Sequence, residues 1–310
     1  MKIFRDIPDN KNLFINPVLT VGNFDGVHLG HLRIINTLVE RAESTGGEPV
    51  VVTFREHPRK ILNPEFSAEI LTTAEEKINL IYEAGVRNII VLDFTRETAS
   101  MSARDFYNNI LIKKIDIKEL VIGYDHAFGK NREGNFDYLS KIASETGIGL
   151  TRVMEEQING QPVSSTRIRD MLNAGAVEDA APLLGRPYSL TGRVIRGASR
   201  GRILGFPTAN IKPDSEEKIV PCGGVYAVCA RAGADNLKGI MNIGSNPTFE
   251  TGGLNIEVHF LDFEGDIYDE KISISFMRRL RDEKKFSGPD ELTRQIRIDR
   301  EKAVALFGVN

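Results

Sequence analysis

Gly22-Asn23-Phe24-Asp25-Gly26-Val27-His28-Leu29-Gly30-His31 is the stretch whose reading decides the fold. The apolar run before it, Val18-Leu19-Thr20-Val21, reads as a buried strand, and Leu32 to Val39 after it has the apolar spacing of a helix. Glycines and two histidines therefore sit where a strand hands over to a helix N-terminus. Backbone N–H groups are free there, and the helix dipole favours an anion. Gly22, Gly26 and Gly30 permit a sharp turn and let a phosphate approach with no Cβ in the way. His28 and His31 are three apart, so on a first helical turn they face the same way. Two imidazole donors beside free N–H groups suit the charge that builds on a phosphorus undergoing displacement. Each piece has a plainer use as well: glycines make turns, and a histidine pair is half of a metal site. A metal site wants further ligands at short spacing, and His57, His126 and His259 are scattered.

Working outward, the first half alternates short apolar runs with helical patterns. Val50 to Phe54, Asn88 to Leu92 and Glu119 to Gly123 read as buried parallel strands. Thr73 to Ala84, Ser102 to Ile112 and Gly134 to Thr146 read as helices between them. Such alternation predicts an α/β fold, a doubly wound parallel sheet with its ligand beyond the carboxyl ends of the strands. Gly22 to His31, Arg55 to Pro58 and Gly123 to Gly129 all follow strands, so one crevice could collect them.

From about Tyr188 the rhythm changes. Ser189 to Arg196, Gly224 to Arg231, Gly239 to Ile243, Leu254 to Asp262 and Lys271 to Phe276 read as strands separated by glycine-containing turns. This predicts a small antiparallel β-barrel. A C-terminal helix follows over Pro289 to Phe307, with proline early in it. Gly175, Pro182, Gly185 and Pro187 punctuate the region between Asn173 and Pro187, which divides the chain into residues 1–183 and 184–310.

A length of 310 residues fits two domains. Hydrophobic residues make up 41% and charged residues 27%, the balance of a soluble globular protein. The net charge of −3 argues against nucleic-acid binding through a basic surface. Cys222 and Cys229 are too few for a disulfide framework and lack metal spacing, which fits a reducing compartment. The N-terminus has no long apolar segment of a signal peptide, and no run of about 18 apolar residues is present to span a membrane. The expectation is a cytoplasmic protein with no membrane or nucleic-acid partner; its oligomeric state is not legible.

Three further constellations carry chemistry. In Val163-Ser164-Ser165-Thr166-Arg167-Ile168-Arg169, hydroxyls precede a helical run and Arg169 lies one turn inside it. Capping explains the hydroxyls, and a clamp on nucleotide phosphates explains them together with the guanidinium. Gly197, Gly201 and Gly205 could build a mobile flap over phosphates, with Arg200 or Arg202 nearby. Thr208 and Asn210 are two apart, so in an extended segment they share a face and could offer two oxygens to Mg²⁺. In Ile256 to Phe260, the apolar Ile256, Val258 and Phe260 alternate with Glu257 and His259.

Taken together, the motifs carry a resemblance. FDGVHxGH at Phe24 to His31 resembles the signature of the nucleotidylyltransferase superfamily in its FMN adenylyltransferase branch. The stretch from Ser164 to Arg169 resembles that family's SSTxIR motif, and Gly123 to Gly129 is similar to its GxDFxFG loop, with His126 in place of Phe. Thr53 to Pro58 is close to TFxPHP, with Glu56 in place of proline, a charge that is unfavourable near a phosphate unless it points away. In the second half, Gly201 to Asn210 resembles the GRxLGFPTAN signature of riboflavin kinase. Pro221 to Tyr226, Asn242 to Phe249, Glu257 to Phe263 and Leu280 to Phe286 resemble its later motifs in order, with Asp269 where glycine is usual. The two halves together look like the bacterial bifunctional riboflavin kinase/FMN adenylyltransferases.

That resemblance implies ATP and Mg²⁺ as cofactors, and riboflavin, FMN and FAD as small-molecule substrates or products. It implies catalytic roles for His28, His31, Arg169 and Glu257, the last accepting the proton of the ribityl hydroxyl. A carboxylate is a weak base for an alcohol, which loose phosphoryl transfer tolerates. It implies nucleotide binding by Gly22, Phe24, Gly26, Gly30, Ser165, Thr166, Gly197, Gly201 and Gly205. Flavin binding falls to Asp125, Phe128 and Arg281, and metal binding to Thr208 and Asn210. A cytidylyltransferase carrying a β-barrel binding module is one rival reading, against which GRxLGFPTAN speaks. A non-catalytic flavin carrier is another, and it would not need His28, His31 and Glu257 intact.

Overall fold

The computed structural model describes residues 1–7, 13–63, 69–129, 133–197, 205–233, 235–245 and 254–308. The chain divides into two compact units, Met1–Ser165 and Thr166–Asn310.

In the first unit, β1 (Lys2–Phe4), β2 (Val18–Val21), β3 (Pro49–Phe54), β4 (Asn88–Leu92), β5 (Glu119–Gly123) and β6 (Gly149–Val153) form one sheet. Its order is β1-β4-β3-β2-β5-β6, with every pair parallel. β2, β4 and β5 are buried along their whole length, which is why they read as unbroken apolar runs. Alternate residues feed two core layers. Val18, Val51, Ile89 and Val121 pack with Ile35 and Leu38 of α1 (Leu29–Ser44). Leu19, Val50, Val52, Ile90 and Leu120 pack with Leu111 and Ile142 on the other face. The chain runs outward from β2 through β3 to β4, then returns to lay β5 on the far side of β2. That reversal opens a crevice at the carboxyl ends of β2 and β5, where Gly22 to His31 and Gly123 to Gly129 follow.

The short helices α2 (Pro58–Leu62), α4 (Arg96–Ser100) and α5 (Ala103–Asp105) lie among the longer α3 (Ala74–Glu83) and α6 (Phe136–Thr146). The helix expected over Ser102 to Ile112 is instead α5 followed by a π-helix, Phe106–Ile115. Its buried residues include Tyr107, Leu111 and Ile115, four apart, a spacing that the wider turn keeps on one side. Asp116 ends it in the left-handed region, φ 60°. β6 escaped the sequence reading because Thr151 and Arg152 interrupt its apolar pattern at the sheet edge. A small hairpin of β7 (Gln157–Ile158) and β8 (Gln161–Pro162) follows.

The division between units falls at the first residue of α7 (Ser165–Asn173), which α8 (Val177–Leu184) follows. The second unit then forms a closed antiparallel barrel of β9 (Ser189–Ile195), β10 (Ala209–Pro213), β11 (Gly224–Ala232), β12 (Asp235–Ser245), β13 (Leu254–Phe260) and β14 (Lys271–Arg281). β10, a short strand ending on a proline, was not among the strands expected from the apolar pattern, although Thr208 and Asn210 were read as an extended segment. It is the strand that closes the barrel, pairing with β9 on one side and β13 on the other. The C-terminal helix, Pro289–Phe307, seats Ala303 against Val225, Ala227, Ile240 and Leu261. Asp269, where glycine was expected, keeps the turn by adopting φ 63° itself, and aspartate is among the residue types that tolerate it.

α7 and α8 are bonded to the barrel. Cys222 N–H donates to the Leu172 carbonyl at 3.2 Å, and Arg279 Nη1 to the Ala174 carbonyl at 2.9 Å. Glu178 accepts from Arg278 Nε at 2.9 Å and from the Arg279 N–H at 3.2 Å. The boundary read at 183/184 falls inside α8, whereas the compact units part at the start of α7.

Candidate functional sites

The first site is built on the turn after β2. Phe24, Gly26 and Val27 all have positive φ, at 50°, 86° and 38°. Glycine accepts this freely; a β-branched valine does not, so the turn is strained. It is held by a buried network. The Asp25 carboxylate accepts from the N–H groups of Leu71 and Thr72, both at 3.0 Å. Thr72 Oγ1 accepts from Gly26 N–H at 2.9 Å and donates to Asp25 at 3.2 Å. Lys77 Nζ donates to the carbonyls of Asn23 at 3.0 Å and Phe54 at 2.6 Å. Asp25, Thr72 and Lys77 are all buried. Loss of hydration pulls the Lys77 ammonium down to about 8, against the opposing pull of Asp25.

His28 is the N-cap of α1, in extended backbone, rather than a residue of its first turn. Its Nδ1 accepts from His31 N–H at 3.3 Å, so in the neutral ring the proton lies on Nε2. The rings of His28 and His31 stack, with centroids 3.6 Å apart, and the Phe24 ring meets His31 edge-on at 5.3 Å. A Cβ at Gly22 would lie 2.9 Å from the Phe24 ring, and one at Gly30 3.2 Å from the His28 ring. These glycines therefore leave room for the Phe24 and His28 rings. Ser165 Oγ donates to the Asp25 carbonyl at 2.9 Å, which ties the start of α7 to the same turn. Arg169 lies four residues on from Ser165, on the same side of α7, while Ile168 and Leu172 face the core. Thr166 is exposed in the first turn.

After β5, Asp125 is exposed, whereas the Phe128 ring packs on Phe106 at 5.3 Å and His126 at 5.7 Å. Glu56 is exposed and pairs with Lys60 at 3.8 Å, which offsets the charge that looked out of place.

The second site lies on β10 and β13. Asn255, Glu257 and His259 occupy the half-buried face of β13, opposite the buried Ile256 and Val258. Glu257 Oε1 accepts from Asn255 Nδ2 at 2.9 Å, and Oε2 accepts from Thr208 Oγ1 at 3.4 Å. Asn210 stands directly opposite Glu257 in the β10–β13 register. A Cβ at Gly197 would run into the Asn210 amide, so a larger residue there would displace that side chain. His259 Nδ1 bonds the Pro207 carbonyl at 2.9 Å, and its ring meets Phe206 edge-on. Arg281 has a partner on the C-terminal helix. It pairs at 2.9 Å with the buried Asp299 of the C-terminal helix, and Gln295 donates to the other oxygen of that carboxylate. Gly205 is described, with φ 81°; Gly201, Arg200, Arg202 and the stretch from Asn246 to Phe249 lie outside the described residues.

Sequence reasoning missed Thr72 and Lys77, whose only sign is a lysine in the first turn of a helix, where the dipole disfavours a cation. It missed Asn255 too, although strand alternation places it beside Glu257. Among the described residues, no group of three or more His, Cys, Asp or Glu is placed to hold a metal ion, and no helix is long and apolar enough to cross a membrane.

Comparison with known proteins matches both units. A family model for FAD synthetase covers residues 11–167, and one for riboflavin kinase covers residues 184–307. A bifunctional riboflavin kinase/FMN adenylyltransferase of Pseudomonas fluorescens is 37% identical over 290 residues, 93% of this chain and 92% of that one. The chain belongs to this family. The relative from Escherichia coli K12 is 35% identical over 314 residues, 100% of this chain and 99% of that one. A crystal structure described as a macrolide-efflux protein from Streptococcus pneumoniae is similar with a TM-score of 0.87 at 30% identity, covering 95% of this chain and 96% of that one. As a member of the family, the chain phosphorylates riboflavin to FMN and adenylylates FMN to FAD, with ATP as donor in both steps.

Proposed function

We propose that the two reactions divide between the two sites as follows. In the first unit, His28 and His31 donate to the α-phosphate of ATP as an FMN phosphate oxygen attacks it and the bond to pyrophosphate breaks. The turn formed by Gly22, Phe24, Gly26 and Gly30 receives the nucleotide. Ser165, Thr166 and Arg169 hold the departing pyrophosphate. The observation that carries this reading is the stacked His28–His31 pair at the N-terminus of α1, one ring fixed as the helix cap by its Nδ1 bond to the His31 N–H. Asp125 and Phe128 border the same crevice and are the proposed flavin contacts there.

In the barrel, Glu257 orients the ribityl hydroxyl and takes its proton, while Asn255 holds one carboxylate oxygen and leaves the other facing Thr208. Thr208 and Asn210 supply the protein oxygens for Mg²⁺. A hydroxyl and an amide are hard neutral donors, and this cation is commonly held by few protein ligands together with water and substrate phosphates. Once bound, it neutralises the charge on the phosphates being transferred. Gly197 and Gly205 border the phosphates, and Arg281, held by Asp299, flanks the flavin. The reading includes a cytoplasmic setting, with riboflavin, FMN and ATP as the only partners required.

His31→Ala tests the assignment. Losing one donor to developing charge costs roughly 3–4 kcal/mol, or about 10²–10³ in rate. FAD formation from FMN and ATP should fall by that factor. An unchanged rate would remove His31 from the chemistry.

A further inference from the structure

The mechanism above uses no buried lysine, yet one lies beneath the turn that carries the histidines. Lys77 is only 4% exposed. It sits in the first turn of α3, after the Thr73–Glu76 capping box, where helix dipole and burial both oppose a cation. Its ammonium bonds the carbonyl of Asn23, at the entry of the strained turn, and that of Phe54, the last residue of β3. Thr53 Oγ1 donates to the same Asn23 carbonyl at 3.2 Å. Two residues further along, Asp25 accepts from Leu71 and Thr72, and at the third residue the Gly26 N–H donates to Thr72. The segment Leu71 to Lys77 thus grips both ends of the run from Asn23 to Gly26. The backbone leaves that run directly into Val27, at φ 38°, and then His28.

We propose that Thr72 and Lys77 are positioning residues for adenylyl transfer: they hold the strained turn so that the His28–His31 pair meets the α-phosphate. Neither residue touches the reacting atoms; both act through Asn23, Asp25 and Gly26. A costly buried cation at a helix N-terminus is retained because the catalytic turn cannot hold its left-handed residues unaided. The inference rests on the roles proposed for His28 and His31.

Its test uses the full-length enzyme with FMN and ATP at 25 °C. Thr72→Val keeps shape but loses both the acceptor for Gly26 and the donor to Asp25, whereas Thr72→Ser keeps both. Thr72→Val should lower kcat for FAD formation about 10- to 100-fold with KM for FMN changed less than threefold, Thr72→Ser should restore most of kcat, and Lys77→Met should match Thr72→Val. A purely structural role would lower the melting temperature and leave kcat of the folded enzyme unchanged. Normal kcat in Thr72→Val would therefore overturn the proposal, as would failure of Thr72→Ser to recover activity. If Lys77→Met does not fold, the Thr72 pair decides alone. His31→Ala in parallel separates the two levels of inference. Should it retain activity, the histidine reading itself fails; should it lose activity while Thr72→Val does not, only the positioning proposal fails.

Discussion

The two phosphate-handling sites of this chain are built by opposite means. In the first unit, the proposed catalytic side chains stand on a strained backbone turn, and Asp25, Thr72 and Lys77, which bond to that turn, are buried. In the barrel, the proposed functional side chains stand on the half-buried face of a regular strand and bond directly to their neighbours, as Glu257 does to Asn255 and His259 to the Pro207 carbonyl. The first arrangement stores strain at the site and offsets it in the core. The second needs none, because strand alternation already aims the side chains. The contrast predicts that the turn is sensitive to changes well below the surface, and the strand face chiefly to changes of its own side chains.

The largest expected effect is on the strand face. Glu257→Gln keeps size and the bond from Asn255 but cannot take a proton, and should slow FMN formation by about 10²–10⁴-fold. Initial rates from riboflavin give the loss, and rates from FMN should stay normal. Near-wild-type FMN formation would return Glu257 to an ordinary solvent-facing glutamate. Thr208→Ala removes a proposed neutral ligand rather than a base, so its loss should be smaller, about tenfold at fixed Mg²⁺, or roughly 1.4 kcal/mol. Most of that should be recovered at higher Mg²⁺, as a titration of rate against Mg²⁺ would show.

A truncation sharpens the comparison at the division between units. A fragment beginning near Pro182 cuts α8 and removes the partners that Glu178 and Ala174 give to Arg278 and Arg279. One beginning at Thr166 keeps them. Both should make FMN from riboflavin and neither should make FAD, with the longer fragment unfolding at higher denaturant by roughly 1–3 kcal/mol of stability. Equal stability would show that α7 and α8 contribute nothing to the barrel.

The smallest effect concerns pH. Burial lowers Lys77 to about 8 from its ordinary 10.5, with Asp25 the charge that opposes the shift. Between those values the unfolded chain binds more protons than the folded one. The slope of unfolding free energy with pH is therefore positive for this group, and stability rises with pH. Wild type should gain on Lys77→Met by up to about 1.4 kcal/mol per pH unit between pH 8 and 10. Denaturation of both at pH 7.5 and pH 9.5 measures it. A gap independent of pH would mean that Lys77 is not protonated at the cost its burial implies.

Most of the architecture was legible because apolar runs and glycine turns report burial directly. The strand from Asn88 to Leu92 and the C-terminal helix fall where the pattern put them. β10 and β6 were not legible, since a short strand ending on Pro213 and an edge strand carrying Arg152 lack the apolar signal. At the sites, the sequence pattern pointed to His28 and His31, which the structure stacks at the start of one helix, and to Asn210 and Glu257, which pair in register between two strands. It could not bring out Thr72 and Lys77, which meet the turn across some fifty positions of chain, the bonded pair Gly26–Thr72 being 46 apart. Nor could it foresee that Arg281 is committed to Asp299, a contact between a strand end and a helix made only by folding.

Complementation tests most directly whether one chain runs two chemistries at two independent sites. His31→Ala and Glu257→Gln are incubated separately and together with riboflavin, ATP and Mg²⁺, and the flavins are separated by chromatography. His31→Ala alone should accumulate FMN with almost no FAD, and Glu257→Gln alone should leave riboflavin nearly untouched. The mixture should make FAD, since FMN released by one variant feeds the other. If each folded variant lost both steps equally, and the mixture made neither FMN nor FAD, the division of labour between the turn and the barrel would be wrong.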